Sequence, residues 1–229
     1  MPRLDQLLSS LGYGTRKEVA DFVKAGRVRS GEVVLKKPEQ KVQAADVTLD
    51  GEPLEAPDGL LVMLHKPLGH VCTHDGGEGP TIYDLLPPRW MSRRPPVTSV
   101  GRLDKDTSGL ILITDQGPLV HRYTSPKSDV EKVYEVTVDR ELDPSLVTIF
   151  ADGTLMLRGE ERPCLPARLE ITGPLTAALT LREGRYHQAR RMFASQGWHV
   201  EMLHRSRFGD HVLGALPPGE WRQLDLPAK

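Results

Sequence analysis

The sequence predicts an α+β protein in two parts: a small module of two helices and a few short strands, then a larger mixed, mainly antiparallel sheet with flanking helices. Three observations carry that prediction. Leu4, Leu7, Leu8 and Leu11 recur at helical spacing at the start of the chain. Beyond residue 60 the apolar residues fall mostly in short runs of strand length, separated by a few helical stretches. Between the two patterns, residues 52–59 have the Pro, Gly and acidic make-up of a linker.

Taken in order, the leucine stripe makes a first helix that Gly12 and Gly14 end. Thr15 and Glu18 form a capping-box pattern before Val19, Phe22 and Val23, and Gly26 stands where a left-handed residue closes a second helix. The outward positions carry Arg3, Arg16, Lys17 and Lys24, with Arg27 and Arg29 next; such charges make either a solvated face or a grip on phosphates. Residues 28–35 and 41–49 read as short strands around turns at Ser30-Gly31 and Lys37-Pro38. So small a module needs a partner or a task to justify it.

In the second part, residues 60–64 form an apolar strand stopped by Lys66-Pro67, and residues 71–73 a short one before a Gly-rich loop at 75–80. Residues 81–86 read as one helical turn. Arg89, Arg93 and Arg94 lie among prolines, a placement suited to phosphate contacts. The segment GRLDKDTSGLILITDQG, residues 101–117, then sets a polar loop holding Arg102, Asp104 and Asp106 directly before the buried strand 110–114. A carboxylate on such a loop is aimed by a rigid element. Arg102 supplies a charge that favours the ionised form of Asp104; a solvated turn is the alternative.

Residues 131–138 alternate as a strand, with Tyr134, Val136 and Val138 on one face. Asp143 and Pro144 open a helix through Leu146, Ile149 and Phe150 that Gly153 closes, and residues 163–171 and 177–181 are further strands. In EGRYHQARRMF, residues 183–193, Ala189, Met192 and Phe193 share one helical face, and Gly197 ends the helix. A strand follows from Val200 to Leu203, with His204, Arg205 and Arg207 just after it. From Arg182 to Arg207 six arginines face only Glu183 and Glu201, a strong local imbalance.

A chain of 229 residues with net charge −1 does not hold nucleic acid by bulk charge, so any such partner must be met by local patches. Cys72 and Cys164 form no Cys-x-x-Cys pair and no disulfide framework, which points to a reducing compartment. No run of about eighteen apolar residues appears, and the first residues lack a signal-peptide core. A cytoplasmic protein without a membrane partner is expected. The histidines show no tight ligand spacing, and Asp104 with Asp106 has no third acid nearby, so neither zinc nor magnesium nor a glycosidase carboxylate pair is favoured.

The start of the chain, with its Arg3-Leu4-Asp5, helix pair with basic outer positions and Gly26-Arg27-Val28 strand, resembles an S4 RNA-binding domain, although the approach to Gly31 is one residue shorter than usual. The motifs GRLDxxTxGL at 101–110, EKxY at 131–134 and EGRYHQxRRM at 183–192, in that order behind the S4-like module, resemble the RsuA-type pseudouridine synthases over almost the whole chain. The resemblance implies an S4-like domain at 1–56, a synthase domain at 57–229, and isomerisation of one uridine of 16S ribosomal RNA without a cofactor. It implies Asp104 as nucleophile, Arg190 as the basic residue paired with it, and Tyr134 as the ring that stacks on the displaced base and moves its C5 proton. Arg102, Leu203, Arg185, His187, Gln188 and Arg191 are then expected around the substrate. Arg3, Arg16, Lys17, Lys24, Arg27, Arg93, Arg94 and Arg205 are expected on RNA. The partner would be the small-subunit RNA or its assembly intermediate, met by a monomer. A large-subunit enzyme of the same family and a non-catalytic ribosome-assembly protein are the alternatives.

Overall fold

In the computed structural model, which describes residues 1–125 and 128–227, the leucine stripe becomes α1 (Leu4–Ser10) and the capping box opens α2 (Arg16–Lys24). Both halves of that box form: Glu18 N donates to Thr15 Oγ1, and Thr15 N donates to Glu18 Oε2. The pair packs on a four-stranded sheet of β1 (Val28–Ser30), β2 (Val33–Val34), β3 (Val47–Leu49) and β4 (Glu52–Pro53), in the order β2-β1-β3-β4. Leu4, Leu8, Val19, Val28 and Val47 are fully buried between them. Residues 41–46, expected as strand, instead hold a 3-10 turn at Ala44–Asp46, and Lys41 keeps only a bridge to Arg3.

The larger part is a nine-stranded sheet. Its strands are β5 (Leu61–Lys66), β6 (Thr98–Ser99), β7 (Ser108–Thr114), β8 (Lys132–Val138), β9 (Arg168–Gly173), β10 (Thr176–Leu181), β11 (Val200–Phe208), β12 (His211–Val212) and β13 (Trp221–Gln223). The main path runs β13-β5-β7-β11-β8-β10-β9, with β6 on β7 and β12 on β11. Among the strands of the described residues, only β7 and β11 pair in parallel. β7 reads as a continuous apolar run because both of its faces are covered: Ile111 and Ile113 join one buried cluster, Leu110 and Leu112 another.

Three helices flank the sheet: α3 (Gly117–Thr124), α4 (Ser145–Ala151) and α5 (Gln188–Ser195). The sequence pattern does not announce α3, whose two turns carry only Leu119, Val120 and Tyr123 toward the core. Residues 71–73 contribute a single bridge from Val71 to Thr81, and the strand expected from residue 163 begins only at Arg168. β11 runs on through Phe208, so His204, Arg205 and Arg207 belong to the strand rather than to a loop after it. Among the described residues no helix is long and apolar enough to cross a membrane.

Where the two parts meet, a buried ion pair of the larger part holds the linker backbone. Arg93 Nε donates to Asp115 Oδ2 at 2.8 Å, with side chains 2% and 6% exposed, and its Nη2 donates to the Ala56 carbonyl at 2.8 Å. Arg93 is therefore a clamp between linker and sheet and not a phosphate contact; its neighbour Arg94 is exposed. Beside it, Arg89 pairs with Glu55 and lies over the Tyr13 ring at 4.2 Å. Gly12 permits this approach: at φ +82° a Cβ would stand 2.5 Å from the Arg89 carbonyl oxygen.

Candidate active site

The parallel pairing of β7 and β11 builds the site. It sets Ser108 opposite His204 and Gly109 opposite Arg205. Gly109 has φ +113°, and a Cβ there would lie 2.3 Å from the Arg205 carbonyl oxygen, so the strands close only on a glycine. Immediately before β7, the loop carrying Asp104 is turned by Thr107 N donating to the Asp104 carbonyl at 3.0 Å.

Under that loop lies a residue absent from the sequence-based candidates. Lys66 is fully buried at the end of β5, and its Nζ donates to the carbonyls of Thr107 at 2.7 Å, Pro67 at 3.1 Å and Lys105 at 3.4 Å. Burial pushes its ammonium below the usual lysine range, opposed by the nearby Cys72, Asp104 and Asp106. The one signal for it was a lysine closing an otherwise apolar strand.

A cavity of about 350 Å³ opens beside this loop, lined by Arg102, Asp104, Tyr134 and Leu203 together with Arg185, His187, Gln188 and Arg205. Tyr134 is half-buried and packs against two of the hydrophobic clusters, and Leu203 is buried. His187 Nε2 stands 3.2 Å from Asp104 Oδ1. It occupies the N-cap of α5 in a left-handed conformation, φ 48° and ψ 34°, strain of the kind that gathers at functional sites. The Tyr186 ring stacks on His187 at 3.9 Å and 17° and is 70% exposed at the rim.

Arg190 is placed differently from the expectation. Its guanidinium pairs with Asp106 Oδ2 at 3.0 Å, not with Asp104, and donates to the carbonyls of Val200 at 2.7 Å and Asp106 at 3.0 Å. These bonds hold it in an adjoining hollow of about 160 Å³, shared with His187, Arg191 and His199. Arg191 is likewise committed, to Glu160 at 2.8 Å and the Arg158 carbonyl at 2.7 Å. Arg185 pairs with Glu183 at 3.0 Å and Glu160 at 3.5 Å and donates to the carbonyls of Arg162 and Pro163. Gln188 is buried, donating to Glu183 at 2.7 Å and accepting from Arg185 N at 3.0 Å. Arg185 and Arg191 thus tie the wall to residues 158–163, Gln188 ties it to Glu183, and Arg102 is left as the exposed arginine of the rim.

Arg205 is also corrected. Alternation along β11 turns it inward, to 2% exposure, where Nε donates to the Leu110 carbonyl at 2.8 Å; it is no surface grip on RNA. In the first module Arg3 and Arg16 both pair with Asp5, at 3.1 and 3.4 Å, and Arg3 foremost holds that carboxyl below its usual range. Arg27 pairs with Asp50 at 2.6 Å, while Lys17 and Lys24 are exposed on α2. Among the described residues no three His, Cys, Asp or Glu side chains come together as a metal cluster.

The arrangement offers an accessible carboxylate beside an imidazole, an aromatic ring and an apolar floor, in a cavity of a size to take a planar base. Comparison with known proteins bears on that chemistry. The sequence profile of the RNA pseudouridylate synthases matches residues 60–195, and that of the S4 domain matches residues 2–48. The ribosomal small subunit pseudouridine synthase A of Vibrio parahaemolyticus is 42% identical over 97% of this chain and 95% of its own length. Its counterpart in Escherichia coli strain K12 is 39% identical over 97% and 96%. A crystal structure of a pseudouridylate synthase, 36% identical, superposes with a TM-score of 0.68 over 98% of this chain and 96% of its own.

Proposed function

This chain belongs to the RNA pseudouridylate synthase family, and from that premise we propose that it converts one uridine of small-subunit ribosomal RNA to pseudouridine, with Asp104 as nucleophile. The observation that carries the reading is the convergence of Asp104, Tyr134 and Leu203, from three different elements, on one cavity. The names of its full-length relatives support the small subunit as the target.

A uridine inside folded RNA must leave its stack before its sugar bond can be reached, at a cost of about a few kcal/mol. Packing of the freed base on an aromatic face such as Tyr134 returns about 1–3 kcal/mol. The Asp104 carboxylate then attacks C1′ of the ribose while the bond from C1′ to N1 breaks, its electron pair leaving with the uracil. The base turns within the cavity, C5 bonds to C1′, and the carboxylate leaves. The Tyr134 hydroxyl is the route by which the C5 proton departs. His187 fixes the direction of the Asp104 carboxylate, the part the family resemblance assigns to Arg190.

The S4-like part, near residues 1–56, grips RNA through exposed lysines and arginines of α2 and its surroundings, and residues 57–229 form the catalytic part. In this reading the protein acts as a monomer on ribosomal RNA in the cytoplasm. Mapping pseudouridine in both ribosomal RNAs with and without this protein tests the proposal. One site lost from the small-subunit RNA is the expected result, and a site lost only from the large-subunit RNA overturns the choice of target.

A further inference from the structure

Apart from Arg102 on the exposed rim and the carboxylate-paired Arg185, the mechanism above leaves two cations of the cavity unused. Arg205 is buried, its Nη2 finds no hydrogen-bond partner among the described residues, and its guanidinium lies 4.7 Å over the Phe208 ring. Lys132 is half-buried, spends one hydrogen bond on the Val130 carbonyl, and stands 5.7 Å from the same ring. Both line the cavity that holds Asp104, and neither forms an ion pair with a carboxylate among the described residues. Arg185, by contrast, is matched by Glu183 and Glu160. The wall therefore carries uncompensated positive charge, which is costly to fold and is retained where it meets negative charge during function.

The reaction supplies such a charge. When the bond from C1′ to N1 breaks, its electron pair stays on the base, and the Asp104 carboxylate loses its charge to the ester it forms. The uracil then bears one negative charge spread from N1 over its carbonyl oxygens. It keeps that charge until C5 rejoins the sugar, the carboxylate departs with its electron pair, and the C5 proton is in effect exchanged for one at N1.

We propose that Arg205 and Lys132 stabilise the detached uracil as an anion, so that the base turns inside the cavity without being protonated or lost. This rests on the synthase reading given above. It assigns to both side chains a task in the chemical step rather than in gripping RNA. Burial, followed by Arg205, depresses the Lys132 ammonium, with Glu183 and Asp129 acting against that shift.

The test compares single-turnover consumption of the target nucleoside in two transcripts of small-subunit RNA, one containing uridine and one 5-fluorouridine. Fluorine makes the departing base more acidic, so it needs less help as an anion. Arg205→Met and Lys132→Met should each slow the uridine transcript by about 10²–10³-fold, as removal of one preorganised charge-stabilising group does. Their deficit on the 5-fluorouridine transcript should be smaller by roughly tenfold, while RNA affinity stays within about threefold of wild type. Equal deficits on both transcripts would mean a structural or positioning role and would overturn the inference. Should Arg205→Met fail to fold, Lys132→Met carries the same comparison alone. A wild-type protein that makes no pseudouridine overturns both this inference and the reading beneath it; an active wild type with equal variant deficits overturns the inference only.

Discussion

His187 Nε2 meets Asp104 Oδ1 at 3.2 Å, while the guanidinium of Arg190 is held 3.0 Å from Asp106 Oδ2. One turn of α5 thus sends two basic side chains to two different aspartates of the same loop. Hydrogen bonds to charged groups contribute about 1.5–3 kcal/mol. His187→Ala should therefore lower the single-turnover rate by about 10- to 100-fold with little loss of stability, since His187 is over a third exposed. Arg190→Ala should show the opposite balance, a lower melting temperature from its two lost carbonyl bonds with a smaller effect on the rate. A rate loss confined to the Arg190 variant would restore it as the partner of Asp104.

Removing Arg93 strands Asp115 in the interior. Breaking a buried pair from one side costs about 3–5 kcal/mol, so Arg93→Ala should lower the unfolding free energy obtained from urea denaturation by that amount while leaving the salt dependence of RNA binding unchanged. A variant of normal stability whose RNA affinity has fallen would return Arg93 to the RNA-contact role.

Acid should destabilise the fold through two histidines. Burial lowers both His204 and His211 below the ordinary value of 6.5; His204 contacts Ser108 Oγ at 2.9 Å and His211 contacts Tyr123 Oη at 3.0 Å. In the unfolded chain these rings take up protons near pH 6.5 that the folded chain refuses, so stability rises with pH up to that value and falls as pH drops below it. Denaturation at a series of pH values from about 7 to 5 should show this slope, and His204→Gln or His211→Gln should flatten it. An unchanged slope in both variants would place the titration elsewhere.

At the rim, the outer face of Tyr186 is open and its inner face is occupied by His187. An exposed ring held in this way suits a neighbouring base of the RNA. Tyr186→Ala should weaken RNA binding by about 1–3 kcal/mol, and Tyr186→Phe should keep wild-type affinity. Equal losses in the two variants would point to the hydroxyl instead of the ring face.

Much of this architecture was legible because its signals are local. The Thr15 and Glu18 box, the leucine stripe of α1 and the apolar run of β7 each name their own structure, and the motif carrying Asp104 could be placed on a strand end from sequence alone. The partners of Arg190, Arg93 and Arg205 are not legible for one shared reason: an arginine looks alike in sequence whether it faces water, a carboxylate or a strand backbone. Its fate is decided by Asp106, by Asp115 and by the Leu110 carbonyl of β7, contacts 84, 22 and 95 positions away in the chain. Lys66 is not legible in the sequence, because its partners are loop carbonyls, which leave no trace in side-chain chemistry.

The central claim is that the Asp104 carboxylate attacks the sugar of a uridine in small-subunit ribosomal RNA. Its most direct test is single-turnover formation of pseudouridine by wild type and Asp104→Asn on the same transcript, with RNA affinity measured alongside. The account predicts conversion by the wild type, and none above background by a variant that still binds RNA. Conversion by Asp104→Asn at the wild-type rate would contradict it.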